Sequence, residues 1–127
     1  MRRAIIALAL LSVLAGCQVF RAQPPAPMPS FFIVFFVPST AQLTPEAQAI
    51  VRQAAMNAMG TRVSRIEVAV PTDAMGGASL REARFTAIQN ILSAVGVDPR
   101  IQARAQLSAM AAMLPGAADR AEIRLLP

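Results

Sequence analysis

Apolar positions along the chain follow two periods, one near 3.6 and one of 2, and they trade places several times. From Thr44 onward, Ala47, Ile50, Val51, Ala54 and Ala58 recur every three or four residues, which predicts a helix. Thr44 can cap it, Pro45 suits the first helical position, and Glu46 complements the positive end of the dipole. Gly60 marks its expected end. In residues 63–70 (VSRIEVAV), Ile66, Val68 and Val70 alternate as in a strand, and Pro71 stops it. A Gly-rich turn over 73–78 leads to Ser79-Leu80-Arg81-Glu82, whose Ser and Glu are spaced as a capping box. That second helix runs to about Val95 and ends at Gly96. Ile101, Ala103, Ala105 and Leu107 alternate as a third strand, and residues 108–114 hold one or two helical turns before Pro115-Gly116. Ala121, Ile123 and Leu125 alternate in a last strand. Residues 31–37 (FFIVFFV) break both patterns: seven apolar residues in a row, bounded by prolines, read as a buried central strand.

The element order is thus β-α-β-α-β-(short α)-β. It predicts an α+β fold of two layers, with helices on one face of a single mixed sheet. The βαβ units favour parallel neighbours and right-handed crossovers. Residues 31–127 suffice for one small domain with a modest core.

The first 30 residues carry a different signal. Met1-Arg2-Arg3 precedes an apolar run over 4–14 that is too short to span a bilayer as a helix, and Leu14-Ala15-Gly16-Cys17 follows. These residues resemble a bacterial lipoprotein signal with its lipobox. The resemblance implies removal of residues 1–16, diacylglycerol on the Cys17 thiol, and usually acylation, commonly with palmitate, of the new amine. Two or more acyl chains make a stable anchor where one does not. Gln18, in place of an aspartate, implies an outer-membrane address with the protein facing the periplasm. The competing reading is an ordinary secretory signal with a chance cysteine. Residues 17–30, with Pro24, Pro25, Pro27 and Pro29, form a stiffened tether.

Composition narrows the function. The 127-residue chain has 12 basic residues, all arginine, against 7 carboxylates. Removing Arg2 and Arg3 leaves 10 arginines, a net charge of +3. The arginines are scattered and the aromatics are all phenylalanine, so nucleic acid is a poor partner. With no histidine and a single cysteine, neither a Ser-His-Asp or Cys-His set nor a typical zinc site can be built. The dispersed carboxylates form no catalytic pair. The expectation is no enzyme, no cofactor and no metal.

Three places carry candidate chemistry: Thr72-Asp73 at the end of the second strand, Arg84 just inside the second helix, and Asp119-Arg120 before the last strand. Leu80, Arg84, Ile88, Ile91 and Val95 share one helical stripe, so Arg84 interrupts the face that packs on the sheet. Arg84 and Asp73 can converge at the sheet rim, beside a helix N-terminus whose amides attract anions. A guanidinium would hold a carboxylate and Asp73 an ammonium, a pairing suited to a zwitterion. The alternatives are a plain Asp73–Arg84 salt bridge, or Arg84 snorkelling to water.

The order and motifs over roughly residues 31–125 resemble the OmpA-like (OmpA/MotB C-terminal) domain of peptidoglycan-associated lipoproteins. Residues 35–44 (FFVPSTAQLT) are similar to the family's opening "F…S…L" run. Residues 68–73 (VAVPTD) resemble the strand ending in "G-H-T-D", with Val70 and Pro71 in place of Gly and His. Residues 80–88 resemble "L-S-x-x-R-A…V", with Arg81 for the serine and the bulkier Phe85 after the arginine, and the loop before this helix is shorter. Leu92 and Gly96 match the helix ending, residues 97–101 the entry to the third strand, and residues 119–123 (DRAEI) the closing "N-R-R-V-E-I". The resemblance implies non-covalent binding of peptidoglycan through the diaminopimelate of its stem peptide. Asp73 would hold the amino group and Arg84 the carboxylate, with Thr72 and Arg120 in support. The function it implies is a tether between outer membrane and wall. The alternative is a degenerate relative that no longer binds wall and serves as a protein-interaction subunit of an envelope assembly. Met110 and Met113 would then face a partner, although core packing is the expected role of such methionines.

Overall fold

The computed structural model describes residues 28–71 and 77–127. The expected signal segment and most of the expected tether lie outside the described residues, as do Cys17, Thr72 and Asp73. Strand β1 (Phe31–Phe35) leads to helix α1 (Pro45–Thr61), strand β2 (Arg65–Ala69), helix α2 (Gly77–Val95), strand β3 (Gln102–Ala105), a four-residue helix α3 (Ala109–Ala112) and strand β4 (Arg120–Leu126). The sheet order is β1-β4-β2-β3. β2 and β3 are parallel, while β4 runs antiparallel to both β1 and β2. The α+β expectation and the single mixed sheet hold.

Strand alternation builds the core. Phe32 and Val34, Ile66 and Val68, and Ala121, Ile123 and Leu125 turn one face of the sheet toward the helices. α1 meets it with Ala47, Val51, Ala54, Ala55 and Ala58, small residues that let the helix backbone approach closely. α2 contributes Phe85, Ile88 and Leu92. Asn57, buried on α1, is satisfied: it accepts from Gln53 and donates to the Pro29 carbonyl, which fixes the chain entering β1.

Four expectations need correction. β1 is an edge strand, not a central one: Phe31 and Phe35 are about half exposed while Phe32 and Val34 are buried. An unbroken apolar run hid the period of two, because the outward residues are as apolar as the inward ones. Thr44 does cap α1, accepting from the Ala47 amide at 3.1 Å, but Gly60 lies inside the helix. The turn that ends α1 is made by Arg62 at φ 52°. α2 starts at Gly77, so Ser79 sits within its first turn, and Glu82 pairs forward with Arg104 of β3 instead of closing a capping box. Finally, Met110 and Met113 are exposed, not core. The α3 turn is too short to bury two faces, and only Ala111 of that turn packs inward.

Candidate functional site

The carboxyl ends of β1, β2 and β3 and the start of β4 meet at one end of the sheet. Arg84 lies there, two turns into α2 and fully buried. The position follows from the helical stripe: Ile88 and Leu92 seat the same face against the sheet, so residue 84 must enter the rim of the core. An unpaired guanidinium would be very costly there. Its Nε donates to the Thr40 carbonyl at 2.8 Å, Nη1 to the Ala118 carbonyl at 2.7 Å, and Nη2 to Asp119 Oδ1 at 2.7 Å. The guanidinium also lies 4.7 Å from the Phe36 ring centroid.

Local turns deliver each acceptor. Val37 and Gln42 close a tight turn, within which Thr40 donates its hydroxyl and its amide to the Val37 carbonyl. This leaves the Thr40 carbonyl facing α2. Ala118 and Asp119 belong to a 3-10 turn (Ala117–Asp119) that follows Gly116, whose φ of 77° reverses the chain. The Phe36 amide donates to the Asp119 carbonyl at 2.9 Å, pinning that turn to the end of β1. The Ser39 amide donates to Asp119 Oδ1 at 3.1 Å, with Ser39 held at φ 60°. One guanidinium thus joins α2, the β1–α1 turn and the entry to β4.

Arg84, and then the Ser39 amide, hold the Asp119 carboxyl below its ordinary range. A carboxylate with a lowered folded pKa stabilises fully above its unfolded value, and that contribution is lost as the pH falls through the folded value. The urea midpoint of the domain is therefore expected to drop below about pH 4. The drop should be shallower in Asp119→Asn, which lacks this carboxylate. Asp119 is 27% exposed, so water screens part of the effect.

The expected convergence of Arg84 with Asp73 lies outside the described residues, as does Thr72. Among the described residues, the carboxylate that Arg84 meets is Asp119. Arg120 is not brought to Arg84. It follows the β4 alternation onto the sheet face away from the helices, where it pairs with buried Glu122 at 2.7 Å, and Arg124 lies 3.8 Å from the same carboxylate. The residue missed was Asp119 as a partner. Nothing local in the sequence marks it, because Asp119 reaches Arg84 only once the closing turn docks on the end of β1. Arg104 was missed as well. It stacks 4.4 Å from the Phe85 centroid, pairs with Glu82, and helps line a groove of about 430 Å³ with Val68, Val70, Arg81 and Phe85. The described residues contain no cluster of three or more potential metal ligands and no helix long and apolar enough to cross a membrane.

No family model matches the chain, and no curated protein matches it by sequence. Solved structures do match. The OmpA-like domain of FopA1 from Francisella tularensis superposes with a TM-score of 0.59 at 15% identity, over 76% of this chain and 73% of that one. The peptidoglycan-associated lipoprotein from Burkholderia pseudomallei gives 0.57 at 19% identity, over 83% of this chain and 96% of that one. The periplasmic domain of Helicobacter pylori MotB gives 0.56 at 14% identity, over 76% and 81%. Identities this low speak to the fold, and on that evidence, together with the strand order and the layers above, the chain carries a domain of the OmpA-like fold.

Proposed function

We propose that this chain is a lipid-anchored envelope protein, facing the periplasm from the outer membrane, whose OmpA-like domain binds peptidoglycan without catalysis. The observation that carries the reading is architectural. Buried Arg84 of α2 lies at the sheet end where β2 finishes, and the likeness spans nearly all of a protein named as a peptidoglycan-associated lipoprotein; both support the reading. The Cys17 lipobox supplies the membrane side of the tether. The ligand class is the zwitterionic diaminopimelate of a stem peptide, with the apolar groove beside Phe85 and the guanidiniums of Arg81 and Arg104 available to the rest of the peptide.

Sedimentation of the full chain with purified cell-wall sacculi tests this. The wild type is expected to pellet with the wall, and Asp73→Ala to lose at least five-fold in retention while keeping its circular dichroism and unfolding midpoint. Such a loss corresponds to about 1 kcal/mol, modest for a charge-assisted contact. Unchanged retention in the variant sinks the assignment of Asp73.

One observation favours a second reading, a protein-interaction subunit of an envelope assembly that does not bind wall. Arg84 has no exposed surface and is already paired, while Met110 and Met113 are 79% and 86% exposed and Leu114 beside them is 44% exposed. A folded wild type that stays in the supernatant at every sacculus concentration selects this reading over the first.

A further inference from the structure

We infer that Asp119 is the resident carboxylate of an arginine site, and that this residue decides whether Arg84 takes a carboxylate from outside. As a statement about wall recognition this rests on the wall-binding reading above. As a statement about the site it stands on geometry alone.

The guanidinium is held twice over without Asp119. The Thr40 and Ala118 carbonyls accept from Nε and Nη1 and fix its plane, and the Phe36 ring flanks it. What remains is the Nη2 edge, and that edge is given to Asp119. The exposures of the two partners differ: Arg84 is 0% exposed and Asp119 is 27% exposed. Asp119 therefore stands between the guanidinium and solvent. A second donor converges on the same oxygen, the Ser39 amide at 3.1 Å, held in the left-handed region where a serine is strained. A charged N–H edge, a converging amide and an aromatic wall form a cradle for one carboxylate group. Here the group filling it is the chain's own.

Two consequences follow. A ligand carboxylate gains Arg84 only by exchange, so its binding is weakened by the stability of the internal pair. And removing the side chain of residue 119, with the cradle left standing, creates a site for a small free carboxylate.

The test is thermal unfolding of the full chain in sodium acetate against sodium chloride of equal ionic strength, at neutral pH. The proteins are wild type, Asp119→Ala, Asp119→Asn and the double variant Arg84→Met/Asp119→Ala. Asp119→Ala is expected to gain roughly 5–10 °C at ten times the half-saturating acetate concentration. Wild type and Asp119→Asn, whose place at the cradle is filled, should show no acetate-specific gain, and neither should the double variant. If Asp119→Ala does not fold in chloride, recovery of its folded signal by acetate is the expected result. No acetate-specific shift or recovery in Asp119→Ala overturns the proposal, as does an equal shift in wild type. Because the probe is acetate, this outcome is independent of whether the protein pellets with sacculi.

Discussion

Arg84→Met is expected to destabilise the domain by about 3–4 kcal/mol, read as a lower urea midpoint. The arithmetic starts from three hydrogen bonds that involve a charged group, each worth about 1.5–3 kcal/mol when partners of this kind are separated. The sum is not reached. Asp119 is partly exposed and regains water, and the methionine fills most of the space the arginine leaves. The two carbonyls recover less, because they lie in turns packed against α2. Against a total of about 5–15 kcal/mol for an ordinary domain, the loss leaves a marginal protein. Arg84→Lys separates charge from geometry. A lysine keeps the charge but cannot present a planar fork to three acceptors, so about half the loss should remain. A lysine variant as stable as wild type would mean that only the charge matters and that the fork is incidental.

The second large effect belongs to Ile123→Ala, expected to cost about 3 kcal/mol and to lower Tm by roughly 15 °C. Ile123 is fully buried at the centre of β4, one of the two inner strands, in register with Phe32 on one side and Val68 on the other. Its removal opens a void bordered by both strand pairs, and the surrounding ladder cannot close on it without breaking register. Ile123→Val removes one methylene and should cost about 1 kcal/mol. A small effect for the alanine variant would mean that the helices settle onto the sheet more freely than this packing implies.

Periodicity revealed the elements well and their neighbours poorly. The helices were legible because Ala47, Val51, Ala54 and Ala58, and likewise Ile88 and Leu92, keep the helical repeat from end to end. The place of β1 was not. Phe31 and Phe35 face outward, and only their exposure distinguishes them from Phe32 and Val34. Sheet order is a non-local property, and no alternation within residues 31–37 announces that a strand ninety residues later will lie on one side only. The end of α1 lies two residues past the glycine that residue identity points to, with Arg62 taking the left-handed turn expected of Gly60, whereas Thr44 caps α1 and Gly96 follows the last residue of α2 as expected. The site shows the same division. A charge on the apolar stripe of α2 pointed correctly to Arg84 as the unusual residue. Its partner could not be read, because Asp119 comes near only after the closing turn and the β1 end have docked together. Arg120 alternates onto the sheet face away from the helices, where it pairs with Glu122, and that face depends on the strand's register rather than on the residue.

The strand order has a consequence for how the protein is made. β1 is hydrogen-bonded in the sheet only to β4, and β4 also separates it from β2. A ribosome therefore delivers both outer portions of the sheet before the piece that joins them. Until residue 126 has emerged, the first strand has no neighbour, and Arg84 has neither the Ala118 carbonyl nor the Asp119 carboxylate to settle on. Nascent chains of shorter length can form helices and the β2–β3 pair, but not this domain. Translation thus runs through most of β4 with the polypeptide still slack, and the step that makes the domain compact waits for that strand.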